Sequence, residues 1–328
     1  VPDIMTTYEQ GFVDEGKYLD LSGQSEWWER LSPSMKEACT DVKSGNQYRV
    51  CTNMTMAGFF YNKEMLDELG LEVPQQWDDF MKMLETIKKE KPEVTPWFIF
   101  GSEAWHLGHL IEFIPHGYVK ATLGTIDAKK AMLDDDQARL RFGEPDGPMA
   151  VFASRMLELQ EKGLINEDVL TATSDNCIQD FVNGKAAMFS NGMWVISSLL
   201  EANPDMADKI GFAPYPAYMP DSKPVVLSAE DSGYSISSTT EHKEEAIEFL
   251  NFLFQPENQK KYSEAAKAPS AFTDVDADWA PETIVKEVSD QKCCSLRCSH
   301  FLQRLFFSAF DHITGTTDPG RSLCDQLH

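Results

Sequence analysis

Apolar positions along this chain recur with two alternating periods. Short runs rich in β-branched or aromatic residues and bounded by turn formers occur at residues 2–6, 47–51, 58–61, 95–100, 186–190, 210–214 and 234–237, and they predict strands. Between them the spacing becomes helical. Over residues 78–89, Phe80, Met83, Leu84 and Ile87 form one apolar stripe, with Asp78 and Asp79 in the first turn and Lys88 and Lys89 in the last, as a helix dipole favours. Residues 149–162 place Phe152, Met156 and Leu159 on one face before Gly163, a natural C-terminal stop. Residues 244–254 repeat the stripe with Ala246, Phe249, Leu250 and Leu253 before Pro256. Strand and helix alternating in this way predict an α/β protein.

Length and charge narrow the picture. A chain of 328 residues exceeds what one core usually holds, so two lobes are expected. A net charge of −24 argues against nucleic acid, whose phosphates call for a basic footprint. No run approaches the roughly 18 apolar residues that a membrane helix needs. The opening Val1-Pro2-Asp3-Ile4-Met5 reads as a strand in the middle of a domain, so the N-terminus and any targeting segment are expected to lie outside this chain. Cys39, Cys51 and Cys177 are scattered singly, whereas Cys293, Cys294, Cys298 and Cys324 crowd the end. Cys293, Cys294, Cys298 and His300 match no standard zinc spacing, so neither a metal nor a cofactor is expected. Residues 291–304 contain no acidic residue in a chain that is otherwise acidic, which reads as a basic exposed loop or as a shift of reading frame.

Four segments carry a family likeness: Pro2-Asp3-Ile4-Met5 with Gly16-Lys17-Tyr18-Leu19-Asp20-Leu21; Gly58-Phe59-Phe60-Tyr61-Asn62-Lys63 with Gly70-Leu71-Glu72-Val73-Pro74 and Trp77; Phe181-Val182-Asn183-Gly184-Lys185-Ala186-Ala187-Met188 with Asn191-Gly192-Met193-Trp194; and the stretch from Asp231 to Ser237 followed by Lys243-Glu244-Glu245-Ala246. In this order and spacing, over residues 1 to about 287, the chain resembles family 1 extracellular solute-binding proteins, the maltose-binding-protein-like sugar receptors of bacterial ABC importers. The resemblance implies a two-lobed, type II periplasmic-binding-protein fold, each lobe a mixed sheet flanked by helices and joined by crossover hinge segments. Residues 1–53 with 231–275 would form lobe I, and 54–230 with 276–328 lobe II. It also implies an opening strand–helix unit of about 40–60 residues ahead of Val1, and closing helices that are missing or scrambled.

Candidate ligand-binding residues follow from what a neutral sugar presents. Its flat C–H faces suit aromatic rings, and its hydroxyl rim suits carboxylates and amides. Trp194 follows the strand at 186–190 and an Asn191-Gly192 turn, which puts it in the first turn of a helix over 193–200; the matching family Trp stacks on sugar. Trp105 is expected in a loop after a buried strand, where open α/β sheets bind ligands. His106 and His109 beside it read as hydrogen-bonded residues of a helix start. Thr7 and Tyr8 follow the first strand; Asn53 and Thr55 lie on the first crossover; Glu230 and Asp231 lie on the second, with Gly233 giving local freedom. Trp27 and Trp28 read as packing at the lobe edge.

The expected function is the extracytoplasmic substrate-binding component of an ABC transporter. It would clamp a small carbohydrate between two lobes and deliver it to the permease's transmembrane subunits, without a catalytic step. It is expected to act as a monomer, in the periplasm or lipid-anchored outside the cell membrane. A polyamine or other small-solute receptor is the alternative in the binding class. A glycoside hydrolase is the alternative among enzymes and would need two carboxylates at about 5–9 Å.

Overall fold

The computed structural model describes residues 2–41, 43–114, 141, 143–217, 224–276 and 294–296. The chain divides into two units. Unit 1 comprises Val1–Met56, Gly192–Ser198 and Ser228–Val285; unit 2 comprises Ala57–Asn191, Leu199–Leu227 and Lys286–His328. Trp194, Thr55 and Glu230, which the sequence-based boundaries assign to lobe II, therefore fall in unit 1.

Unit 1 holds a three-stranded antiparallel sheet in the order β1 (Ile4–Met5), β8 (Gly233–Ile236), β2 (Val50–Cys51), with Ile4 opposite Ile236 and Cys51 opposite Gly233. Short helices α1 (Gln10–Asp14), α2 (Ser25–Trp28) and α3 (Pro33–Ala38) join β1 to β2, and α10 (Lys243–Leu253) and α11 (Pro256–Ala266) follow β8. The core gathers Leu21, Trp27, Leu31, Met35, Cys39, Ile236, Leu250, Phe254 and Phe272. Trp27 packs on Phe254 with ring centroids 5.0 Å apart, which makes it a core residue. The apolar stripe expected over 244–254 is narrower than its sequence suggests. Ala246 and Leu250, one turn apart, face the core, but Phe249 is about half exposed.

The six-stranded sheet has the order β4 (Thr95–Phe98), β5 (Ala186–Gly192), β3 (Met54–Asn62), β7 (Val225–Glu230), β9 (Cys294–Leu296), and β6 (Ile210–Ala213) also pairs with β3. β4 and β5 run parallel with Trp97 opposite Met188, while β3 and β6 run antiparallel with Phe60 opposite Phe212. Parallel strands buried on both faces read as continuous apolar runs, and β5 is buried at every position. Helices α4 (Lys63–Leu69), α5 (Trp77–Glu90), α6 (Ala104–Phe113), α7 (Pro148–Glu161), α8 (Ser174–Val182) and α9 (Val195–Ala202) complete the order among the described residues. Asn62 caps α4 by accepting from the Met65 N–H at 3.1 Å, and Gly70 ends it in the left-handed conformation. In the core of unit 2, Phe59 meets Tyr215 at 4.6 Å, Phe80 at 4.8 Å and Trp97 at 5.1 Å.

Every strand expected from the sequence is present, and β7 and β9 are additional. β9 lies within the anomalous stretch at 291–304 and pairs parallel with β7; the rest of that stretch, including Cys293, Cys298 and His300, lies outside the described residues. Among the described residues no group of His, Cys, Asp or Glu could hold a metal ion, and no helix is long and apolar enough to cross a membrane.

Candidate functional site

The site in unit 1 is built where β2 ends, where β7 ends and where the chain leaves β1. β7 delivers Glu230 and Asp231 just before β8. Asn53, which is 1% exposed, donates from Nδ2 to Asp231 Oδ2 at 2.8 Å, and its Oδ1 accepts from the Thr52 hydroxyl at 2.8 Å. The Asp231 N–H in turn donates to the Asn53 carbonyl at 3.2 Å. Both ends of the Asn53 amide are thus engaged within the protein. Its role in this geometry is to aim Asp231, rather than the direct ligand contact its position suggests in the sequence. Asp231 is half-buried, and its other oxygen, Oδ1, has no partner among the described residues.

Arg49 is a site residue that sequence reasoning missed. Its Nη2 donates to the Asp231 carbonyl at 2.5 Å, its Nη1 lies 3.8 Å from Glu230 Oε1, and its guanidinium sits 5.5 Å from the centre of the Tyr8 ring. One cation therefore joins Tyr8 to the adjacent pair Glu230 and Asp231, from which the sequence separates it widely. Gly233 is required here for a different reason from the one expected. Its conformation is ordinary, but a Cβ would lie 2.6 Å from Arg49 Nε and 2.9 Å from the Val50 carbonyl, so the glycine lets the strands and the guanidinium approach closely.

Tyr8 stacks on Tyr18 with ring centroids 5.5 Å apart. Tyr18 Oη donates to the Thr7 carbonyl at 3.0 Å and accepts from the Glu9 N–H at 3.2 Å, which fixes the segment carrying Tyr8. Burial, with the Asp41 carboxylate adding to it, raises the Tyr8 hydroxyl far above its ordinary value and keeps it a neutral donor. Thr7 itself is exposed. Thr55 is buried, and its hydroxyl has no hydrogen-bond partner among the described residues. A buried polar group left unpaired in this way is uncommon and marks a place where a ligand could supply the missing bond.

Trp194 is half-buried and lies just before α9. Asn191 and Gly192 are the last residues of β5 and not the turn expected from the sequence. The Met193 N–H donates to the Met56 carbonyl at 2.9 Å, which holds the strand end. The six-membered ring of Trp194 lies so close to Gly192 that a Cβ there would fall 1.9 Å from it. Gly192 thus provides the flat backbone surface on which the indole rests.

In unit 2, Trp105 is the second residue of α6 and not part of a loop. Its Nε1 donates to Glu103 Oε2 at 2.8 Å, and Glu103 Oε1 accepts the Ser174 N–H at the start of α8 at 2.7 Å. Glu103 thus ties the indole to a helix N-terminus, a role no sequence signal revealed. The Trp105 ring meets His109 edge-on at 5.3 Å and Phe100 at 5.6 Å. His106 overturns the expectation of a hydrogen-bonded helix-start residue. Its ring is fully buried and stacked on Phe100 at 3.6 Å, and neither ring nitrogen has a partner among the described residues. Burial, then the nearby His109, holds it neutral, well below the ordinary imidazole value of 6.5. Asn191 is buried at the end of β5. Tyr8, Thr7, Asn53, Thr55, Trp194, Glu230 and Asp231 belong to unit 1, and Trp105 and Asn191 to unit 2.

Comparison with known proteins gives concordant results. The family model described as bacterial extracellular solute-binding protein matches residues 1–260. The chain is similar to the melibiose/raffinose/stachyose-binding protein MelE of Bacillus subtilis (strain 168), 27% identical over 280 residues, covering 85% of this chain and 63% of that protein. It is similar to a multiple sugar-binding protein of Streptococcus mutans, 26% identical over 295 residues, covering 85% of this chain and 64% of that one. The chain thus spans less than two thirds of the length of these two relatives. Among solved structures, a Bacillus licheniformis sugar transporter in complex with stachyose superposes with a TM-score of 0.78 at 25% identity, covering 97% of this chain and 82% of that chain.

Proposed function

Because this chain belongs to the bacterial extracellular solute-binding proteins, we propose that it is the carbohydrate receptor of an ABC importer, that it acts outside the cytoplasmic membrane, and that it hands its sugar to the permease without a catalytic step. The ligand class is an oligosaccharide of the raffinose series, as the names of its relatives suggest. The observation that carries the reading is the Asp231 carboxylate: Asn53 fixes one oxygen at 2.8 Å and the other is open to accept sugar hydroxyls. Trp194 supplies a flat face for the sugar's C–H surface, with Tyr8 and the unpaired Thr55 hydroxyl as further contacts in unit 1. Trp105, Asn191, Thr7 and Glu230 complete the proposed contact set.

The Arg49 guanidinium bears on the polyamine alternative. A cation that bonds to the Asp231 backbone carbonyl and lies 3.8 Å from Glu230 Oε1 offsets the charge of Glu230, which makes the site a poorer host for a diammonium ligand. A neutral polyol carries no such conflict.

Thermal unfolding of the protein against melibiose, raffinose, stachyose, maltose and spermidine tests the proposal. A ligand that binds only the native state adds RT ln(1 + [L]/Kd), about 2.7 kcal/mol at a hundredfold excess over Kd. A rise in Tm with raffinose-series sugars, lost in Trp194→Ala, is the expected result. A rise with spermidine and with no sugar would discard the carbohydrate.

A further inference from the structure

Two cysteines twelve positions apart in the sequence meet in the core of unit 1. Cys39 follows α3, its N–H bonded to the Met35 carbonyl at 2.9 Å, and Cys51 is the last residue of β2. They are 2% and 0% exposed, and their sulfurs lie 3.2 Å apart. The ordinary reading of buried cysteines is that they pack as small hydrophobes. Cys177, a single buried thiol in α8, fits that reading. The Cys39–Cys51 pair goes further because the chain between them is already folded back on itself: Thr40 bridges Gln47, the Asp41 N–H donates to the Asn46 carbonyl at 2.9 Å, and the Asp41 carboxylate accepts the Ser44 N–H at 2.7 Å. Joining the sulfurs asks for an approach of only about 1 Å, with little movement of the backbone.

We propose that Cys39 and Cys51 form a disulfide in the exported protein. The compartment rests on the receptor reading above, since disulfides persist outside the reducing cytoplasm. The oxidant is a disulfide, either a small molecule or a thiol–disulfide oxidoreductase. One cysteine thiolate attacks it, forming a mixed disulfide and expelling one thiolate. The second cysteine then attacks the mixed disulfide and expels the other. The two S–H protons end on the two leaving thiols, so the protein's thiol pair is oxidised by two electrons and the reagent disulfide is reduced by two.

The surroundings distinguish the two thiols. The hydrogen bond with Cys51 holds the Cys39 thiol below its ordinary value against the effect of burial, with the Arg49 charge adding to it, whereas the same contact and burial push Cys51 well above. The bridge also has a functional location. Cys51 follows Arg49 by two positions and precedes Thr52 and Asn53, and these three residues position Asp231 and the backbone beside it. A covalent tie at Cys51 anchors the segment that holds the sugar-facing carboxylate.

The test is to refold the reduced, full chain in a glutathione redox buffer, alkylate it under denaturing conditions and map its peptides. The expected result is a linked peptide containing Cys39 and Cys51, with Cys177 alkylated as an internal control. Reductant should then lower the Tm of the wild-type protein by about 5 °C, and have no effect on the Cys39→Ala/Cys51→Ala variant. Alkylation of both Cys39 and Cys51 after oxidation, or linkage of either one to Cys177 or to a tail cysteine, would overturn the proposal. If the double variant does not fold, the peptide map and the wild-type response to reductant decide the matter. Neither readout involves sugar, so failure here and failure of the receptor reading are separable.

Discussion

Asn53 and Asp231 are joined twice, by the side-chain bond from Nδ2 to Oδ2 at 2.8 Å and by the backbone bond from the Asp231 N–H to the Asn53 carbonyl at 3.2 Å. A buried amide whose donor and acceptor are both used inside the protein leaves little capacity for a ligand, while the carboxylate it holds keeps one oxygen open. The two residues should therefore respond differently to substitution. Asp231→Asn removes the charge-assisted acceptor and is expected to weaken raffinose binding by about 1.5–3 kcal/mol, a factor of roughly 10–150. Asn53→Ala leaves the carboxylate in place but unaimed, and it removes the amide oxygen that accepts from the Thr52 hydroxyl. It should lower Tm and weaken binding by a smaller factor. Calorimetric titration beside thermal unfolding checks both, and equal binding losses with an unchanged Tm for Asn53→Ala would contradict the positioning role.

Gly192 gives a second test through a residue that is not itself a proposed ligand contact. A Cβ on Gly192 would meet the indole at 1.9 Å, so Gly192→Ala must move the ring. Its binding loss should approach that of Trp194→Ala, about 2 kcal/mol for an aromatic anchor or roughly thirtyfold in Kd. A change in Trp fluorescence without ligand should accompany it. Unaltered affinity in Gly192→Ala would remove Trp194 from the proposed contact set.

Phe59 sits in an aromatic cluster of unit 2, with Tyr215, Phe80 and Trp97 around it at 4.6, 4.8 and 5.1 Å. Phe59→Ala leaves a cavity bounded by rings that cannot collapse together. It should cost about 3–5 kcal/mol of stability, measured by urea unfolding followed by the shift in the unit 2 transition. A loss below about 1 kcal/mol would mean that the core is plastic there.

Much of the fold was legible because the strands of unit 2 are fully buried and read as short apolar runs between turn formers. The run at 186–190 and the neighbouring motif residues located β5 within two residues. Helices with few apolar residues were not legible. α11 carries the sequence PENQKKYSEAA and announces itself chiefly by Pro256 at its start. In the candidate site, Asp231 and Trp194 stood out by residue type and position. Arg49 and Glu103 did not, because each acts through partners distant in the sequence. Arg49 meets Asp231 across 182 positions, and Glu103 meets Ser174 across 71. Cys39 and Cys51 looked like isolated thiols because the turn that brings them together, twelve positions apart, carries no cysteine spacing of its own.

His106 sets a pH limit on the stability of unit 2. Its ring is fully buried against Phe100, with Trp105 and His109 beside it, and among the described residues neither nitrogen has a hydrogen-bond partner. Burial holds its folded-state value well below 6.5, whereas in the unfolded chain it titrates near 6.5. Below that pH the unfolded state binds a proton that the folded state refuses. Stability is therefore fully present above about pH 6.5 and falls, by about 1.4 kcal/mol per pH unit, as pH drops toward the depressed folded value. His106→Phe keeps a flat ring against Phe100 and removes the proton site, so the difference in stability between variant and wild type should grow as pH falls from 6.5 to 5. Denaturant unfolding of both proteins across that range measures it. A difference that stays constant with pH would show that His106 finds a way to protonate without opening the fold.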